Sequence, residues 1–351
     1  MTQLPSSSQS ALQEYHNKDQ KKIQFGLTIP QGWRSGDLPS ENEDKPARQY
    51  EYSRSIAHLA DLLSFDSIYT YDHLVPHYRD NTGKNIFECL IMLSALAATT
   101  RRVKIGQIVL CNSYRNPSLL AKMLSTLDII SNGRLELGIG AGWYEQEYTA
   151  YGYHYPPNVE RIKQLDESLS IIKSMWTEQQ TSFEGKFYTV KSANCNPKPI
   201  QKPYPTIMVG GSGEKYLLKV VAKHADRYNL FFGSPKEMER KIKILKEYRQ
   251  EGFGKDKYKD KEMQYSVVLP CLIRESDEEV KQILQQCRRK DKTMEEYIKY
   301  LAKGITIGTP DKILKGINEY IQIGVTHFVM HFVGLNQASL KLFNSKIIKK
   351  V

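Results

Sequence analysis

The segment Arg134-Leu135-Glu136-Leu137-Gly138-Ile139-Gly140-Ala141-Gly142, followed at once by Trp143-Tyr144-Glu145, decides how this chain is read. Leu135, Leu137 and Ile139 alternate with smaller or polar residues, the pattern of a short strand. The glycines at its end let the backbone turn sharply and let a flat group lie close to it. A helical run starts just beyond. This is the C-terminal mouth of a strand, where α/β proteins keep their chemistry. It is not the dinucleotide fingerprint, because the third glycine of Gly-x-Gly-x-x-Gly would fall at 143, and that position is Trp143.

Upstream of this segment, Pro117 opens a helix that runs to about Ile130, where Ser131-Asn132-Gly133 stops it. Earlier strands are expected at 23–29, 67–71 and 103–110, with helices at 49–63 and 86–99 between them. Downstream, 159–176 reads as a long amphipathic helix and 182–191 as a small hairpin. Strands follow at 206–209, 227–231, 264–272 and 326–332. They are separated by helices at 214–224, 235–250 and 310–323, a helix from Asp277 and a helical insertion over 293–303. Alternation of strand and helix means a parallel sheet with the helices outside. Eight such units in one chain of 351 residues favour a closed (β/α)8 TIM barrel over an open α/β sheet. Residues 1–20 read as a loose polar tail and 21–351 as one barrel domain.

Composition narrows the function. The apolar fraction of 40% supports a sizeable core, and twenty-two tyrosines argue against disorder. The net charge of +11 is spread along helices and loops, so it reads as a solvated surface without a nucleic-acid recognition motif. Five cysteines without Cys-x-x-Cys spacing, and no apolar leader in the tail, fit reduced thiols in a cytoplasm. The longest apolar stretch, 90–98, is too short to cross a membrane. No metal is expected: His327 and His331 are four apart, but in a strand that spacing builds no helical ligand pair.

The candidate site residues sit at strand ends. Asp72 and His73 follow the second strand, with His77 four residues later. His73 at a barrel mouth can donate a hydrogen bond or proton and Asp72 can orient a neighbour, or both simply cap a polar loop. Gly210-Gly211-Ser212-Gly213 lies between a strand and a helix, where backbone N–H groups hold a phosphate or simply make a tight turn. No Gly-Lys-Ser/Thr follows, so it is not a P-loop. Trp33, Trp143 and Tyr144 can wall a flat ligand, although aromatics at strand ends are more often simply core. Arg115 can pair with a carboxylate, but a surface role is the expected one.

Taken together, 67–74, Arg115-Asn116-Pro117, 127–135, Gly138-Ile139-Gly140-Ala141-Gly142-Trp143 and Gly210-Gly211-Ser212-Gly213 resemble the luciferase-like flavin and deazaflavin oxidoreductases over roughly residues 22–335. The Gly-Ala-Gly-Trp-Tyr-Glu form is most similar to the branch that depends on coenzyme F420. The resemblance implies a TIM barrel, usually a homodimer, with the deazaflavin or flavin ring at the C-terminal mouth. It places His73 beside that ring and a non-prolyl cis peptide at Ile108-Val109 behind it. Gly140, Ala141 and Gly142 would lie along the cofactor, with Gln146 near its side chain and Gly210 to Gly213 on its phosphate. The implied activity is hydride transfer between F420 and a small organic substrate. The alternative is a two-component monooxygenase using FMNH2 and oxygen, and a rival of another class is a non-catalytic flavin-binding barrel. A flavin or F420 reductase is the implied protein partner. Two positions depart from the pattern: deazaflavin sugar and alcohol dehydrogenases carry glutamate where this chain has Trp143 and tryptophan where it has His77. A secondary alcohol or sugar phosphate is therefore not the expected substrate.

Overall fold

A computed structural model describes residues 22–34, 37–39, 42–77, 84–254, 262–288, 293–302 and 306–351, the side chains at 298–300 and 302 excepted. The expected tail, 1–20, lies outside the described residues, as does 303, the last position of the expected helical insertion.

In chain order the strands are β1 (Gln24–Thr28), β2 (Ser67–Thr70), β3 (Lys104–Gln107), β4 (Leu110–Cys111), β5 (Leu135–Gly140), β6 (Thr181–Glu184) and β7 (Thr189–Ala193). They continue with β8 (Thr206–Gly210), β9 (Arg227–Phe231), β10 (Gln264–Ile273), β11 (Ile307–Gly308) and β12 (His327–Phe332). Parallel pairing runs β1-β2-β3-β5-β8-β9-β10-β12, and β12 returns to β1. The sheet is therefore a closed eight-stranded barrel, as the alternation of elements predicts. β4 adds to β5 and β11 to β10, while β6 and β7 form the separate antiparallel hairpin. Among the described residues, no helix is long and apolar enough to cross a membrane.

Alternation along each strand builds two cores. Leu27, Ile68, Leu137 and Ile207 point outward and join the main cluster beneath the helices. Tyr69, Met208, Val268 and Val329, at alternate strand positions, form a second cluster with Trp33, Tyr71 and Ile108. Tyr69 has room because its flanking strands carry glycine. A Cβ at Gly26 or at Gly106 would come within 2.7 Å of its ring. Towards the N-terminal ends of the strands the filling is polar. Glu136 meets Arg227 at 3.0 Å and Lys104 at 3.0 Å, and accepts a hydrogen bond from the Tyr69 hydroxyl. Burial opposes the Glu136 charge, but Arg227 and Lys104 outweigh it and hold its pKa far below the usual carboxylate range.

Of the boundaries that differ from the sequence reading, three bear on the site. The strand expected over 103–110 is interrupted, with a cis bond at Ile108-Val109 between β3 and β4. The helix expected from Ile86 starts later, as Cys89–Thr99, with Glu88 capping it by accepting a bond from the Ile91 N–H. The helix expected from Glu214 begins at Leu217, after a turn over 214–216. The glycine loop after β8 therefore does not run straight into a helix terminus. Helices at Pro117–Ile130 and Pro235–Gln250 start where the prolines place them, capped by Asn116 and Ser234.

Candidate functional site

A cavity of about 370 Å³ opens at the C-terminal ends of the strands. Its size is that of a small-molecule site. Most of the residues singled out in the sequence line it. Trp33, Asp72 and His73 come from the loops after β1 and β2, and Ile108 and Val109 from the cis bond. Gly140, Ala141, Gly142, Trp143 and Tyr144 lie at the end of β5 and beyond it, and Gly210, Gly211, Ser212 and Gly213 at the end of β8 and beyond it. Two do not line it. Gln146 is exposed, and its Oε1 accepts a bond from the Tyr144 hydroxyl at 3.0 Å. His77 lies behind the wall, 5.1 Å from Trp33 and 5.9 Å from Trp143 between ring centroids.

His73 is held on two sides. Its ring stacks on Trp33 at 4.0 Å and 5°. Its Nδ1 lies 2.9 Å from Oε2 of Glu147, a carboxylate with no exposed side-chain surface. Glu147 also accepts the Leu74 and Val75 N–H groups at 2.8 and 3.1 Å and the Tyr114 hydroxyl at 2.8 Å. Burial opposes its charge, but the His73 contact and the two backbone bonds prevail and lower its pKa. An ionised carboxylate only accepts, so Nδ1 carries the hydrogen and Nε2 is the ring nitrogen left for a ligand.

Asp72 is committed elsewhere. Both its oxygens meet Arg115, at 2.8 and 2.9 Å, and one also accepts the Cys111 N–H at 2.8 Å. Arg115 reaches Glu88 as well, at 2.6 Å. This pairing corrects the surface role read for Arg115: its side chain is 11% exposed. Asp72 thus ties the end of β2 to β4, across the cis bond. Cys111 bonds the Tyr148 hydroxyl at 3.0 Å, and burial pushes its thiol up to about 12, so it stays protonated.

The glycines have packing reasons of their own. A Cβ at Gly140 or Gly210 would come within 2.9 Å of the Val109 side chain, so these two positions make room for the residue after the cis bond. Gly142, at φ +79°, passes so near Tyr148 that a Cβ would lie 2.0 Å from its hydroxyl. Behind the second loop, the buried Lys241 donates to the Ser212 carbonyl at 2.7 Å and meets Glu214 at 3.1 Å. Glu147, Tyr114 and Lys241 escaped the sequence reading. The available signal for Glu147 was a helix beginning at Glu145, whose phase turns position 147 inward and leaves 145 exposed.

A family model described as luciferase-like monooxygenase matches residues 24–327. An FMNH(2)-dependent dimethylsulfone monooxygenase from Pseudomonas putida is 29% identical over 190 residues, covering 54% of this chain and 51% of that protein. The chain thus spans about half the length of that relative. An F420-dependent glucose-6-phosphate dehydrogenase from Kineococcus radiotolerans is 28% identical over 310 residues, covering 82% of this chain and 89% of that protein. Among solved structures, monooxygenase RslO1 from Streptomyces bottropensis superposes with a TM-score of 0.76 at 20% identity, over 93% of this chain and 99% of that one.

Proposed function

The chain belongs to the luciferase-like monooxygenase family, and from that premise we propose that it transfers a hydride between coenzyme F420 and an organic substrate. The observation that carries the reading is His73, fixed by Glu147 and Trp33 inside a cavity with glycine-rich walls. What favours the deazaflavin over FMN is that the F420-dependent relative aligns along most of its length, the FMNH2-dependent one along half.

The residues present fit a flat ring with a phosphate. Gly140, Ala141 and Gly142 leave one wall with almost no side chains, and Gly210 to Gly213 offer backbone at another. When bound, the cofactor supplies the hydride chemistry. The chain binds and orients. Glu147 holds the imidazole in one tautomer, so that Nε2 takes a proton from the substrate oxygen or returns one to it. Asp72 positions the β4 backbone through Cys111 and Arg115. The described cavity lining contains no lysine or arginine, which speaks against a phosphorylated sugar as substrate. A homodimer, a reductase partner and a cytoplasmic setting belong to the same proposal.

Titration with F420 and, separately, with FMN, followed by absorbance and fluorescence, tests the reading. Micromolar or tighter binding of F420 alone is the expected result. Preference for reduced FMN with oxygen uptake would replace it by the monooxygenase reading.

A further inference from the structure

We propose that the substrate of this site is an uncharged, flat, conjugated organic molecule, stacked by an arc of aromatic side chains at the cavity mouth. The inference rests on the oxidoreductase reading above only in calling that molecule the substrate. Trp143 is 55% exposed although it lines the cavity. It stacks on Tyr144 at 5.1 Å and 23°. Both rings stand edge-on to His73, at 6.0 Å each. Phe231, 38% exposed, lines the same cavity and stacks on Phe232 at 4.3 Å and 14°. Trp33, buried and stacked on His73, links the two pairs through Arg34, whose guanidinium carbon is 4.7 Å from Trp33 and 5.3 Å from Phe231.

Large aromatic surface left exposed around a concavity marks a place where a ligand is meant to cover it. Stacked rings reward a flat partner, which offers them a π face at van der Waals distance. The charged groups of the described lining are already engaged: Asp72 with Arg115, and Glu147 with His73. Besides these, the lining offers aromatic faces, the Nε2 of His73 and neutral polar side chains such as Asn158 and Ser212. That combination suits an uncharged conjugated molecule better than a charged or strongly hydrated one.

The test is calorimetric binding to protein loaded with oxidised F420, the loading being measured first and separately by absorbance. The probes are 2-acetylnaphthalene, its saturated two-ring analogue 2-acetyldecalin, and glucose 6-phosphate. The flat ketone is expected to bind about tenfold more tightly than the saturated one. Trp143→Ala should weaken the flat ketone about three- to tenfold while moving the saturated one by less than about twofold, and Trp143→Phe should recover most of the loss. Equal affinities for the two ketones, tighter binding of glucose 6-phosphate, or equal losses in Trp143→Ala overturn the proposal. F420 binding without the flat-ketone preference sinks this inference alone. Absence of F420 binding with the preference retained sinks the hydride-transfer reading and leaves the aromatic mouth.

Discussion

Two pairs of histidines, each four residues apart, have opposite surroundings. His327 and His331 are on β12 and buried. His327 bonds Ser266 through Nδ1 at 2.7 Å, and His331 bonds Thr28 and Tyr71 through Nδ1 at 3.0 Å each. Burial drives both pKa values well down, helped by Arg227 near the first and Arg34 near the second, so both rings are neutral. His73 and His77 follow β2 on a loop, among Trp33, Trp143 and Tyr144. There His73 faces a carboxylate, and it lines a cavity. Spacing is the same in both pairs. The partners assign the β12 pair to filling the barrel; of the other pair, His73 faces the cavity and His77 lies behind its wall.

His73→Asn puts this contrast under the greatest strain. Loss of a positioned acid-base group is expected to lower turnover by about 10²–10⁴-fold. F420 affinity, read by absorbance titration, should stay close to that of the parent protein. Turnover that survives the change would place the proton transfer elsewhere, and His73 would no longer differ in role from the β12 pair.

His327→Ala is the counterpart. It takes a buried partner from Ser266 and from Tyr69 inside the barrel, which should cost about 1–3 kcal/mol of stability. Denaturant unfolding measures that loss. Turnover per folded molecule should be retained, because His327 sits at the polar floor and does not line the cavity. A large fall in turnover without a stability change would contradict the assignment.

Such partners explain what the sequence could and could not reveal. Strand alternation and proline-opened helices are local patterns, so the eight-stranded barrel and the helix Pro117–Ile130 could be read directly. The start of the helix at Leu217 could not, because the turn over 214–216 has no proline or capping side chain to mark it. Single site residues such as His73 and the glycines showed in the sequence as strand-end motifs. The Asp72–Arg115 and His73–Glu147 pairs did not, being joined across 43 and 74 positions by the folding of the barrel itself.

A finer change tests how the His73 partner works. Glu147→Gln keeps the shape of the side chain but exchanges a charged acceptor for a neutral one, which should cost about 1 kcal/mol at neutral pH. The Glu147 pKa is lowered in the folded protein from its ordinary 4.5. The stability it contributes is therefore fully present above that ordinary value and is lost as pH falls through the lower folded value. Wild type and Glu147→Gln should differ at pH 7 and converge on acidification below the ordinary range. Unfolding curves recorded across that range measure the gap. A gap that stays constant would mean that the carboxylate charge is not what holds His73, and that the four bonds to Glu147 act through shape alone.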